Sequence, residues 1–289
     1  MLVCASLFWA GNFMIGKFAF LENIPPMSLV FLGWSLVWLI LLPFTYKEII
    51  KNKKIILDNL PLLFFLAFTS VGLFNTFTYL SLTYTQVINA SLFNTAIPAA
   101  IIFLCFLLKI EKTNRFQIFG LILSVFGILA IITKLDLNIL LSLNFNKGDL
   151  IMIGGVITWG LYSAFLKNKK FTLPLLTLVQ VLCTFGLIFI LPQFLYELSQ
   201  GLRVKFDTNL GYTLIYLALF PSIGSYYCWA GAVAIIGANR AGIFLSLIPF
   251  FSTILAIIFF NEQFEFFHLI GSILIILGLF LSNKKVQNV

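Results

Sequence analysis

Polar side chains stand inside stretches otherwise built of Leu, Ile, Phe and Ala. In the first half of the chain they are Asn12, Asn75, Thr78, Tyr79, Ser91, Asn94 and Thr95; in the second, Trp159, Tyr162, Tyr226, Tyr227, Trp229 and Ser246 occupy comparable depths. Asn75 with Tyr79, and Ser91 with Asn94 and Thr95, are spaced to share a helix face. Two kinds of chemistry suit such groups. One is hydrogen bonding between neighbouring helices, worth roughly 0.6–2 kcal/mol per contact. The other is a cavity in which amides hold polar substrate atoms and rings cover apolar parts. Taken as a set, the residues read as an aromatic, amide-rich pocket suited to amino acids or similar small metabolites.

Charged groups within these stretches are few. Lys17 and Lys167 lie near opposite ends of their apolar blocks, where a lysine snorkels to the headgroups or serves as a substrate-facing or gating charge. Lys17 is the better gating candidate, because Lys167 merges with Lys169 and Lys170. Glu111 and Glu262 stand at block ends, where a carboxylate caps the following helix or pairs locally, the rival being proton carriage. His268, close to Glu262 and Glu265, suits an interfacial hydrogen bond better than a pH switch. Pro98 and Pro249, in mid-block, free a carbonyl and bend their helices, which makes them candidate hinges.

Catalysis finds little support. There is one His, with no HExxH, no GxSxG, no Walker sequence and no paired carboxylates within the apolar blocks. Cys4, Cys105, Cys183 and Cys228 show no CxxC spacing and read as packing residues, so neither a disulfide framework nor a metal site is expected. No cofactor is called for.

The elements that must position these residues follow from composition. Hydrophobic residues make up 61% of 289 positions and charged ones 10%. Such a chain needs lipid as the solvent for much of its surface. The net charge of +8 belongs to short gaps between apolar blocks, so it reads as a topology signal and not as a nucleic-acid footprint. The N-terminus has no basic region ahead of its apolar stretch and is not expected to be a cleaved signal. Membrane lipid and a small-molecule substrate are the expected partners; oligomeric state stays open.

A crossing helix needs about 20 mostly apolar residues, and that ruler predicts ten: 2–20, 27–45, 60–81, 87–108, 116–133, 149–166, 173–195, 210–232, 238–260 and 266–282. With the N-terminus inside, inner loops hold Lys47, Lys51, Lys53, Lys54, Lys109, Lys112, Arg115, Lys167, Lys169, Lys170, Arg240, Lys284 and Lys285. The outer side keeps Lys17, Lys134, Lys147, Arg203 and Lys205. That bias supports both the count and two cytoplasmic termini in a plasma membrane.

The halves repeat. Pro98, Glu111, Gly120 and Gly127 match Pro249, Glu262, Gly271 and Gly278 at a constant offset of 151. Gly72 aligns with Gly224, and Trp9 and Lys17 align with Trp159 and Lys167. The paired glycines, seven apart, suit close helix packing or a dimer interface. Five crossings per half would leave the second half upside down, which is the inverted repeat used by secondary transporters around a midplane site. The expected fold is therefore an all-α membrane protein of ten transmembrane helices as two inverted five-helix repeats. One membrane domain fills residues 1–289, with repeats at 2–133 and 149–282.

The stretch Leu7-Phe-Trp-Ala-Gly-Asn-Phe-Met-Ile-Gly-Lys17, with Asn89-Ala-Ser-Leu, Pro98 and Glu111 and again Asn239-Arg-Ala-Gly, Pro249 and Glu262, resembles the EamA-type branch of the drug/metabolite transporter superfamily. The resemblance covers nearly the whole chain. The Gly-Glu common before that family's fifth and tenth helices is Ile110-Glu111 and Asn261-Glu262 here. It implies metabolite or amino-acid export as the commonest theme. Together with the repeat, it makes the chain a permease in expectation, with a non-transporting scaffold or receptor as the alternative. The expected substrate cavity is lined by Asn12, Lys17, Asn75, Tyr79, Asn94, Trp159, Tyr162, Tyr226, Trp229 and Ser246.

Overall fold

The computed structural model describes residues 1–108, 115–142, 145–167, 171–236, 241 and 243–282. Glu111, Asn239, and the basic residues Lys109, Lys112, Lys169, Lys170, Arg240, Lys284 and Lys285 lie outside them. Helices fill the described residues, and no strand occurs among these. They are α1 (Leu2–Leu21), α2 (Pro26–Lys51), α3 (Leu60–Leu82), α4 (Val87–Leu107), α5 (Arg115–Ile132), α6 (Lys147–Lys167), α7 (Leu175–Ser199), α8 (Thr208–Ile236), α9 (Leu247–Phe260) and α10 (Phe266–Ser282). Two short helices not expected from hydropathy, Lys53–Asp58 and Leu137–Ser142, sit in connections. Seven of the helices are long and apolar enough to cross a membrane; α5, α9 and α10 contribute shorter apolar stretches. At 1.5 Å per residue, the 14 residues of α9 reach about 21 Å, and the turn that precedes it lengthens the element.

Large apolar side chains cover the outside. Phe44, Ile235, Phe259 and Phe280 are each about two-thirds or more exposed, and Phe119 and Phe126 more than half. A water-soluble monomer does not carry a continuous apolar exterior of this kind. Lipid accounts for it.

The same departures from regular helix recur at the same places in the two halves. α3 contains a π-helical segment at Phe68–Phe74 and α8 one at Ala218–Gly224. A 3₁₀ turn at Phe93–Ala96 interrupts α4, and another at Ile243–Ser246 leads into α9. Pro98 and Pro249 follow these turns directly, in the first turn of the next α-helical segment. That position suits proline, whose missing N–H costs nothing there, so the bend comes from the turn and proline holds it in place. α2 and α7 both start after an extended proline, Pro25 and Pro174, and both carry an interior proline, Pro43 and Pro192.

Packing partners also exchange between halves. α1 packs on α8 and α9, while α6 packs on α3 and α4. The remaining helices pair with their own counterparts, α2 with α7 and α5 with α10. In the α5–α10 seam a methyl group at Gly127 would meet the Gly271 carbonyl oxygen at 2.7 Å, and one at Gly278 would meet the Gly120 oxygen at 2.5 Å. The repeated glycines thus let two backbones of one chain touch, and the contact order makes those helices antiparallel. Each half therefore completes the other.

Candidate functional site

Where the halves meet, aromatic rings gather around Trp159 of α6. Phe74 of α3 lies 4.6 Å from it by ring centroid, Tyr162 5.0 Å, Trp9 of α1 5.4 Å, Tyr226 of α8 5.4 Å and Trp229 6.0 Å. Edge-on and tilted geometries dominate, as ring quadrupoles favour. Trp9 and Trp159, matched by the repeat, face each other directly. A cavity of about 10 Å³, room for roughly one water molecule, opens among Trp9, Asn12, Phe13, Phe74, Asn94, Trp159 and two α9-side residues, Leu245 and Ile248.

Polar groups in this cluster are incompletely paired. The Tyr79 hydroxyl donates to Asn12 Oδ1 at 2.6 Å. The Trp159 and Trp229 indole N–H groups and the Tyr162 hydroxyl are fully buried, with no hydrogen-bond partner among the described residues. Leaving such a group unpaired costs about 1–3 kcal/mol. Trp159, Trp229 and Tyr162 bring three such groups into one cluster.

The expected cavity residues separate on this background. Asn12, Asn94 and Trp159 line the cavity, and Tyr79, Tyr162 and Trp229 join them through the hydrogen bond and ring contacts above. The Tyr226 hydroxyl is likewise buried without a hydrogen-bond partner among the described residues. Asn75 itself is engaged with the π-helical segment, its amide donating to the Ser70 and Val71 carbonyls at 3.1 Å each. Ser91 and Thr95 bond back to the Ile88 and Leu92 carbonyls. Tyr227, the next residue along α8, is exposed. The Ser246 side chain lies outside the description. Phe74 and Trp34, which stacks edge-on with Tyr226 at 5.2 Å, were not foreseen; an apolar ring in an apolar block carries no sequence signal.

Lys17 stands apart from this cluster, in a polar pocket of about 500 Å³ that also takes in Thr85, Gln86, Asn89, Lys134, Asn146 and Asp149. Its ammonium donates to the carbonyls of Leu82 at 3.3 Å and Thr85 at 3.0 Å, satisfying the C-terminal end of α3. Asp149, in the first turn of α6, is 2% exposed, and its Oδ1 accepts from the Thr85 hydroxyl at 2.6 Å. This carboxylate escaped the sequence reading because it opens an apolar block and so looks like a loop residue. His268 Nε2 lies 2.8 Å from Asn89 Oδ1, the hydrogen bond expected of it, while its Nδ1 accepts from the Glu265 N–H at 2.9 Å.

Two carboxylates cap helices that they do not belong to. Glu262 accepts from the N–H groups of Val87 at 2.9 Å and Ile88 at 3.0 Å, at the start of α4. Capping was expected of it, but of the helix that follows; the helix capped comes instead from the other half. Glu197, at the end of α7, accepts from the N–H groups of Met27 at 2.9 Å and Ser28 at 2.7 Å, and from the Ser28 hydroxyl at 2.8 Å. Both neutralise the positive end of a helix dipole.

Comparison with known proteins extends over the same two halves. The EamA-like transporter family matches residues 1–133 and 146–284. An uncharacterized transporter of Archaeoglobus fulgidus is 29% identical over 288 residues, covering 99% of this chain and 96% of its own. The uncharacterized transporter YyaM of Bacillus subtilis is 24% identical over 296 residues, covering 99% and 93%. YetK, another uncharacterized transporter of that organism, is 28% identical over 226 residues, covering 76% of this chain and 66% of its own. One crystal structure shares the fold with a TM-score of 0.63 at 14% identity, over 97% of this chain and 94% of that one. A family match over both halves, on an all-helical body with an apolar exterior, identifies the chain as a multi-pass membrane protein that belongs to the EamA-like transporter family.

Proposed function

We infer that the chain is a secondary transporter of the cytoplasmic membrane, which moves small metabolites by alternating access. In this reading ten helices cross the bilayer as two inverted five-helix repeats of one membrane domain, with both termini in the cytoplasm. Support comes from the recurrence of π segments, 3₁₀ turns and prolines at matched places, and from the exchange of packing partners between halves. Relatives named as transporters agree with it.

The observation that carries the site is the group of unpartnered N–H and O–H functions on Trp159, Trp229 and Tyr162, buried where the halves meet. A solute with hydrogen-bond acceptors on one part and an apolar surface on another, as in an amino acid, would satisfy those donors and cover the rings. A cavity of about 10 Å³ is too small for such a solute, so binding requires the halves to part. Alternating access supplies that motion. Inverted repeats with a closed centre suit a state between inward and outward opening.

A panel of amino acids and related metabolites, screened for flux in proteoliposomes, tests the reading. Flux of at least one member above protein-free vesicles is expected. A panel without flux, in vesicles shown to hold folded protein, would contradict it.

A further inference from the structure

The polar pocket at the Lys17 end carries a buried carboxylate that central substrate binding does not use. Asp149 stands in the first turn of α6, a helix long and apolar enough to cross a membrane; it is almost wholly buried and in no ion pair among the described residues. A buried acid is costly to keep ionised unless it is paired or hydrogen-bonded. The surrounding hydrogen bonds decide what kind of group it is.

These bonds run in one direction. His268 Nδ1 accepts from the Glu265 N–H, so the ring proton sits on Nε2 and is donated to Asn89 Oδ1. Asn89 then turns its amide nitrogen to Thr85 Oγ1, at 3.4 Å, and Thr85 donates its hydroxyl proton to Asp149 Oδ1 at 2.6 Å. Every donor in the chain points toward the carboxylate. The chain joins α10, α4 and α6, and all of it depends on an acceptor at its end.

We propose that Asp149 is a proton-binding site reached through the polar pocket, and that its charge sets whether the start of α4 is held to α6. The ionised carboxylate is the stronger acceptor and keeps Thr85 and Asn89 in place. A proton taken from water in the pocket makes it a carboxylic acid, which is a weaker acceptor and must itself donate. The Thr85 bond then reverses or breaks, and the chain loses its direction. Among the charged and titratable groups around it, Lys134 and Lys17 line the same pocket. Lys147 is exposed on its own helix, His268 closes the far end of the chain, and Glu262 is committed to the cap on α4. Neither lysine is within ion-pair distance of Asp149, so the proton competes with their field and not with a salt bridge.

Any use of this proton in transport rests on the function proposed above, but its detection needs no substrate, so either reading can fail alone. Infrared difference spectra of the protein in lipid, taken between about pH 8 and about pH 4, should show the carbonyl band of a protonated buried carboxylic acid. The band should vanish in D149N, persist in E262Q and move in D149E, which keeps a carboxyl if D149N fails to fold. At one fixed pH, amides of residues 85–92 should exchange with solvent several-fold faster in D149N than in the unsubstituted protein. A band that survives in D149N, or is lost in E262Q, would overturn the assignment. Unchanged amide exchange in D149N would overturn the clamp.

Discussion

Each buried polar group at the centre has a choice between a fixed partner and a ligand, and substitution separates the two. Tyr162 places a hydroxyl with no partner among packed rings. Tyr162→Phe removes only that oxygen and should raise thermal stability by about 1 kcal/mol, since an unsatisfied buried group is lost. Transport should fall, by up to about tenfold if one substrate hydrogen bond is worth about 1.4 kcal/mol. Lower stability with unchanged flux would mean that the hydroxyl serves the fold. Glu197 is the opposite case, fully used by Met27 and Ser28. Glu197→Ala should cost about 1–3 kcal/mol in unfolding measurements, because three donors lose their acceptor. An unchanged melting profile would refute the cap.

Among the helices, hydropathy located nearly every element to within a few residues, as with 2–20 against Leu2–Leu21 and 266–282 against Phe266–Ser282. That success has a simple cause: a block of apolar residues in lipid has no alternative to a helix. The irregular turns were legible only in part. Pro98 and Pro249 announced bends, whereas the π segments in α3 and α8 have no residue type that requires them. Partnership between helices was beyond the sequence, because Glu197 and Glu262 act on helices far away in the chain. The glycines were readable as close-contact positions, but only packing shows that α5 and α10 of one chain supply both sides. Gly127→Val should therefore lower stability by about 1–3 kcal/mol through forced separation of that seam, a loss measurable as a lower melting temperature in detergent. A neutral Val would show that the seam is loose.

At the scale of the whole molecule, orientation and alternation form one question. The uneven distribution of basic residues at the helix ends and connections predicts that a cysteine at Lys53 reacts with impermeant reagent only from the cytoplasm and one at Lys147 only from outside; the reverse pattern would invert the topology. Both halves meet at Trp9 and Trp159, whose ring centroids are 5.4 Å apart. The Asn12–Tyr79 hydrogen bond at 2.6 Å belongs to that cluster and joins α1 to α3 within the first half. Solute exchange in proteoliposomes with the unsubstituted protein beside Asn12→Ala and Tyr79→Ala, at matched amounts of inserted protein, decides whether the central cluster binds substrate. Exchange by the unsubstituted protein is expected, with a loss of about tenfold or more in both variants and no loss of insertion. Equal exchange in all three would contradict a substrate site at the centre of the molecule.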